Sequence, residues 1–143
     1  MSGEKTPIDE AELQKARVKA QTGHALILVL ENGPVRFFAA DEVLGYLSWT
    51  AILGRDPERI DLRYGHDLPN GLHTFKADEL ASLWYRAPNG EEYYSPVAGE
   101  VVIEVERPEF GTAFEHNGIL LNVRYETSDG AIVLNGTFRN SSA

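Results

Sequence analysis

Asn-Gly pairs constrain the fold of this chain more than any other feature of its sequence. Asparagine and glycine adopt positive backbone φ angles at low cost, and tight hairpin turns require such angles. The chain contains five Asn-Gly pairs and one Asp-Gly pair: Asn32-Gly33, Asn70-Gly71, Asn89-Gly90, Asn117-Gly118, Asn135-Gly136 and Asp129-Gly130. Because strand-like segments lie between these pairs, the sequence predicts short antiparallel strands joined by hairpins.

The first hairpin is predicted at Asn32-Gly33. The continuous apolar run at residues 25–30 predicts a strand that is buried on both faces and returns through residues 35–39. The N-terminal helix is a candidate cover for this strand. Residues 43–53 show no clean period, so the sequence leaves open whether they form a helix or a strand.

Strict alternation of apolar and polar residues marks the later strands. Such strands have one buried and one solvated face. They are predicted within residues 59–64, 100–106 and 121–126, and the turn at Thr127 to Gly130 leads into a further predicted strand at residues 132–138. If residues 100–106 lie at the edge of a sheet, their carboxylates argue against pairing of this strand with the same strand of a second copy.

The N-terminal part predicts a helix at residues 8–21. Its acidic side chains come first and its basic side chains later, an order that suits the helix dipole: Asp9, Glu10, Glu12, Lys15, Arg17 and Lys19. Residues 1–7 are predicted to be a flexible tail, and residues 24–139 to form strands and hairpins. Asp41 and Asp78 are predicted to cap two short helical turns.

These patterns together predict a mainly β fold. The expected architecture is an antiparallel β-sandwich or a partly open barrel of short hairpin-linked strands, with an N-terminal α-helix and one or two short helical turns. A chain of 143 residues has the usual length of one domain, so residues 8–143 are predicted to form a single β-rich domain.

Charge bears on the classes of partner. Lys and Arg number 13 against 22 Asp and Glu, which gives a formal net charge of −9. Phosphate backbones are repelled by such a surface, so we expect no nucleic-acid partner. The longest stretch without charge, residues 43–54, is shorter than the ~20 residues that span a bilayer, so no membrane association is expected.

The N-terminal residues are polar and charged, without the apolar segment of a secretory signal. A cytoplasmic location is therefore expected, and an exported form whose signal has been removed stays open. The chain has no cysteine, which excludes disulfides and thiol catalysis.

Aromatic residues flank the predicted turn at Asn89-Gly90 and form a candidate contact site for a protein or a carbohydrate. The candidate residues are Trp84, Arg86, Tyr93 and Tyr94. A two-residue turn would pair Arg86 with Tyr93 and Tyr85 with Tyr94. Trp84, Arg86 and Tyr93 would then share one face, and the opposite face would carry the rings of Tyr85 and Tyr94.

Histidines offer a different function. His66, His73 and His116 are candidate ligands of a metal site, with Asp67 or Glu115 beside them. No recognised ligand spacing supports this site, and loop or surface histidines with ordinary hydrogen bonds are the simpler interpretation.

The sequence favours a non-catalytic binding or interaction module whose acidic surface carries the aromatic hairpin. Motifs for serine nucleophiles and nucleotide phosphates are missing, and no cofactor is expected. The alternative is a small metal-assisted enzyme built on the three histidines. A carrier that holds an apolar ligand between sheets also stays open. We expect a monomer or a small homo-oligomer.

Overall fold

The computed structural model describes residues 7–143, and all but the last residue of the predicted tail lie outside this range. One α-helix and eleven strands follow one another along the described residues: α1 (Glu10–Lys19), β1 (Ala20–Glu31), β2 (Val35–Phe38), β3 (Ala40–Tyr46), β4 (Trp49–Gly54), β5 (Arg59–Arg63), β6 (Gly71–Lys76), β7 (Ser82–Arg86), β8 (Glu92–Tyr93), β9 (Ala98–Glu106), β10 (Phe114–Thr127) and β11 (Gly130–Ser142). A 3-10 helix (Ala77–Glu79) separates β6 from β7.

The strands form two antiparallel sheets, which confirms the mainly β fold. The six-stranded sheet has the order β2-β1-β11-β10-β9-β6, and the five-stranded sheet has the order β3-β4-β5-β7-β8. The two sheets pack as a sandwich and do not close into a barrel. No helix among residues 7–143 has the length and apolar character needed to cross a bilayer.

The main core lies between the sheets. Alternate residues of each strand point inward, because successive side chains of a strand lie on opposite faces. The six-stranded sheet contributes Ile27, Val29, Val101, Ile103, Leu120, Val123, Tyr125 and Phe138, and the five-stranded sheet contributes Val43, Ile52, Ile60, Leu62, Leu83 and Tyr85. These two inner faces hold the sandwich together.

A second, smaller core lies on the outer face of the five-stranded sheet. Leu13 of α1 packs there with residues of β3 and β4, namely Leu44, Trp49 and Ala51. The helix begins after Asp9, whose side chain accepts a hydrogen bond of 2.8 Å from the Glu12 amide. The helix therefore covers the five-stranded sheet, and not the strand at residues 25–30 that was predicted as its partner.

A buried ion pair fixes the segment that precedes the helix. Asp61 is 1% exposed and binds Arg59 at 2.8 Å. The Ile8 amide donates to the same carboxylate at 2.6 Å, and Arg59 donates to the Ile8 carbonyl at 2.6 Å. The prediction that this face of β5 is solvated is therefore wrong, because the N-terminal segment covers it.

Three of the six predicted turns join consecutive strands. Asn32-Gly33 joins β1 to β2, Asn89-Gly90 lies between β7 and β8, and Asp129-Gly130 lies between β10 and β11. Asn70-Gly71 leads from a loop into β6 instead of closing a hairpin.

The two remaining pairs, Asn117-Gly118 and Asn135-Gly136, lie inside the long strands β10 and β11, so their prediction as turns is wrong. A Cβ atom at Gly118 would overlap the Phe138 ring, and a Cβ atom at Gly136 would overlap the Leu26 carbonyl. These glycines permit close packing rather than chain reversal.

The helix and strand boundaries also differ from the predicted ones. The helix ends at Lys19 rather than at residue 21, because β1 begins at Ala20, which lies opposite Ser142 in the register with β11. The strands accordingly extend from Ala20 to Ser142, beyond the predicted range of 24–139. The open question at residues 43–53 is answered by the β3–β4 hairpin.

Three further expectations about strands and caps are wrong. Asp41 lies in β3, and the N-cap of the 3-10 helix at Asp78 is Lys76, so neither aspartate is an N-cap. The strand at residues 98–106 lies between β10 and β6 instead of at an edge. The run at residues 25–30 is buried on one face only, since Leu26 is 60% exposed while Ile27 is fully buried.

Replacement of Asp61 tests the role of the buried ion pair. We expect Asp61→Ala to lower the free energy of unfolding by about 3 kcal/mol, because Arg59 would remain buried without its carboxylate. Urea unfolding measures this change. The control Glu126→Ala removes the partially exposed partner of Arg124 and should cost less than about 1 kcal/mol. Equal losses in the two variants would contradict the assigned role.

Candidate binding surfaces

The aromatic hairpin has a register one residue away from the predicted one. Tyr85 lies opposite Tyr93, and Arg86 lies opposite Glu92. The loop has three residues instead of two, because the Ala87 amide donates to the Glu91 carbonyl at 2.9 Å. Gly90 ends this loop with a φ of 90°, as three-residue hairpin loops require. The predicted pairs Arg86–Tyr93 and Tyr85–Tyr94 are therefore wrong.

The corrected register turns Tyr93 inward. The Tyr93 ring lies 6.2 Å from the Tyr85 ring and 5.9 Å from the Tyr125 ring, measured between centroids. Tyr85 donates a hydrogen bond of 2.6 Å to the buried carboxylate of Glu58, which also binds Arg36 at 2.6 Å. Burial raises the pKa of Tyr85 well above its ordinary value. Tyr93 thus packs on a tyrosine cluster of the main core.

Trp84 and Arg86 also contact other parts of the protein. Trp84 is fully buried, and the guanidinium groups of Arg86 and Arg59 lie 5.3 Å and 5.8 Å from its ring centroid. Its indole donates to Glu92 at 3.3 Å, and Arg86 donates to the Pro57 carbonyl at 2.7 Å. Of the four predicted contact residues, Tyr94 is the most exposed at 47% of its surface.

The three candidate metal ligands have different environments. His66 is exposed in the loop after β5, and His73 on β6 contacts the Pro69 carbonyl through Nε2 at 2.7 Å. His116 on β10 is fully buried. Within residues 7–143, no group of three or more His, Asp or Glu side chains is placed to hold a metal ion.

His116 lies in an aromatic environment. The Tyr64 ring meets it edge-on at 6.0 Å, and the Phe114 ring lies 4.4 Å away. Neither ring nitrogen has a hydrogen-bond partner among the described residues. Burial lowers the pKa of His116 to about 4, with further lowering from the charges of Arg107 and His73. The imidazole is therefore neutral at pH 7.

A row of apolar side chains crosses the outer face of the six-stranded sheet. Leu26, Ile119 and Val102 occupy this row on β1, β10 and β9, and threonines on β11 and β6 complete it. Around the row lie further exposed apolar residues: Leu28, Val35, Phe37, Leu72 and Leu121. We call this surface the open face, because no element of residues 7–143 packs over it in the way that α1 covers the other sheet.

In one further row of the open face, the charged residues are divided between its two ends. A second row runs next to the apolar one and contains His24 on β1, Arg139 on β11, Asn117 on β10 and Glu104 on β9. Arg139 also binds Glu115 at 3.0 Å. The basic groups of this row lie toward β1 and its carboxylate toward β9.

A groove lies beside α1, between the helix, the β3–β4 hairpin, the end of β11 and the β9–β10 loop. Tyr46, Trp49 and Gly45 line it from the sheet, and Ala16, Val18 and two lysines line it from the helix. Its volume is about 550 Å³. Ligand pockets usually have about 300–1,000 Å³, so the groove has room for a small molecule.

No known family, curated protein or solved structure matches this chain. Its function must therefore be argued from the open face, the groove and the buried groups themselves.

Sequence reasoning missed both the open face and the groove. The apolar run at residues 25–30 was the available signal for the open face, but burial on both faces explained it equally well. The groove depends on where α1 packs, and the helix has only Leu13 as a buried residue. A pattern that weak does not identify its partner sheet.

Acid should destabilise the fold through His116. Its pKa is about 4 in the native state, against an ordinary 6.5, so the unfolded chain takes up a proton first as the pH falls below about 6.5. We expect this group to lower the free energy of unfolding by about 3 kcal/mol between pH 6.5 and pH 4. Denaturant unfolding at a series of pH values measures it.

Two variants isolate this contribution. His116→Leu should remove part of the fall in stability over this pH range, even if it changes the stability at pH 7. His66→Leu changes an exposed histidine and should keep the wild-type slope. Parallel pH profiles for the wild type and His116→Leu would contradict the assignment.

Proposed function

We propose that this protein is a non-catalytic interaction module, and that its contact surface is the open face of the six-stranded sheet. The observation that carries the proposal is the set of exposed apolar side chains in and around the apolar row of this face, among them Leu26, Phe37 and Ile119. Monomeric proteins rarely expose large contiguous apolar patches, and such patches mark interaction sites. The aromatic hairpin is less suited to this role, since Trp84 and Tyr93 pack internally.

The size of the open face supports a protein partner. The five spacings of ~4.8 Å between six strands, multiplied by roughly 30 Å of strand length, give about 700 Å² of flat surface. A standard protein–protein interface buries ~800 Å² on each partner. The open face thus provides nearly the whole area that one stable contact requires.

The partner we propose is a second copy of this chain. In this dimer the open faces of the two copies face each other, and a two-fold axis runs between them, parallel to the strands and midway between β11 and β10. This axis would place each β1 over the β9 of the other copy. Leu26 would then face Val102 within the apolar row, and His24 would face Glu104 in the neighbouring row. The surface is self-complementary in this orientation, as a two-fold interface requires.

Charge also favours this arrangement over other contacts between copies. Two molecules with a formal charge of −9 repel each other. The open face is rich in apolar side chains and carries basic as well as acidic groups, so repulsion is weaker there than at a uniformly acidic surface.

Charged substitutions on the open face test the proposal. We expect sedimentation equilibrium to show a dimer for the wild type at about 100 μM. Leu26→Lys and Phe37→Lys should each raise its dissociation constant at least about tenfold, because each places a charge in the apolar contact. Phe110→Lys is the matched control, since Phe110 is 82% exposed in the β9–β10 loop.

At a concentration low enough for the wild type to be monomeric, the melting temperatures of all variants should stay near that of the wild type, since the substituted side chains are exposed in the monomer. A wild type that is monomeric at this concentration would overturn the second copy as the partner. A dimer that tolerates both open-face substitutions would overturn the assignment of the surface.

The chain contains no cysteine, so engineered thiols can test the orientation. Packed sheets lie ~10 Å apart. A short bismaleimide should therefore link Leu26→Cys/Val102→Cys molecules into a covalent dimer. The double variant Val18→Cys/Phe110→Cys also carries two exposed thiols, but both lie off the open face, and it should remain uncoupled. Equal coupling in the two variants would contradict the proposed axis.

A further inference from the structure

The groove beside α1 combines an apolar lining with basic groups. Trp49 is almost fully buried beneath it, while Tyr46 is 41% exposed at its side. Ala16 packs against the smaller core, and Val18 is exposed near the end of the helix. The side chains that line the groove most closely are thus aromatic or aliphatic.

Two lysines give the groove its charge. Lys15 and Lys19 are four residues apart, so their side chains extend on the same face of α1. Neither lysine forms an ion pair within 4.0 Å among residues 7–143. The nearby carboxylate of Glu12 has a cationic partner, Arg63, at 3.8 Å. Two lysines therefore line a groove whose single lining carboxylate is already paired.

We infer that this groove binds a small anionic amphiphile, namely a free medium-chain carboxylic acid in its ionised form. The alkyl chain would lie against Tyr46 and Trp49, and the carboxylate would lie between Lys15 and Lys19. Charge complementarity favours this ligand class, because two lysines line the groove and its lining carboxylate, Glu12, already binds Arg63. No residue that lines the groove belongs to the apolar row or to the neighbouring row of the open face, so this site does not depend on the proposed dimer.

Isothermal titration calorimetry with decanoate, below its critical micelle concentration, tests the inference. Decanol has the same chain without the charge, and decyltrimethylammonium has the opposite charge. We expect decanoate to bind at least about tenfold more tightly than either, since two ammonium contacts together are worth about one decade in affinity. Equal affinity for all three probes, or no heat with decanoate, would overturn the inference.

Matched variants locate the site. Lys15→Glu/Lys19→Glu should weaken decanoate binding at least about tenfold, whereas Lys76→Glu on β6 should leave it unchanged. Tyr46→Ala should weaken both decanoate and decanol, because it removes apolar contact without changing charge. Tyr94→Ala is its control, since Tyr94 has similar exposure but lies outside the groove. Unchanged affinity in both groove variants would overturn the assignment.

Discussion

The ion pair between Arg59 and Asp61 determines which side of the sandwich is closed. Both groups lie on the outer face of the five-stranded sheet, where Asp61 is almost completely buried. They hold Ile8 through its amide and its carbonyl, and this contact directs the following helix across β3 and β4. The same chain segment cannot also cover the six-stranded sheet, so one outer face is packed and the other is left open.

Local patterns predicted much of the fold and little of the surface. The alternation of apolar and polar residues at β5 and β9 is visible in a few consecutive residues. These strands could therefore be predicted from the sequence. The dipeptides at Asn32-Gly33 and Asn117-Gly118 are identical, yet the first is a turn and the second lies within β10. The difference comes from Phe138, whose ring occupies the space where a side chain at Gly118 would lie. Gly118 and Phe138 lie on different strands, so no short stretch of sequence contains both residues.

The candidate sites were harder to predict for the same reason. One additional loop residue after Ala87 moved Tyr93 to the inner face, since a shift of one residue reverses every side chain of a strand. Trp84 is enclosed by two arginines from different parts of the chain. Leu26 is exposed because no element of residues 7–143 covers its strand. Sequence gives the chemistry of these residues, but tertiary packing decides which of them reach solvent.

The position of β11 has a consequence for how the protein is made. This strand lies between β1 and β10, and its register joins residues more than one hundred positions apart, such as Ala20 and Ser142. During synthesis, β1 would wait without its main partner until residues 130–142 have left the ribosome. Such distant pairings slow folding, because a long loop must close before the contact forms. The apolar strand β1 is thus exposed to misassembly until about one hundred further residues have been synthesised.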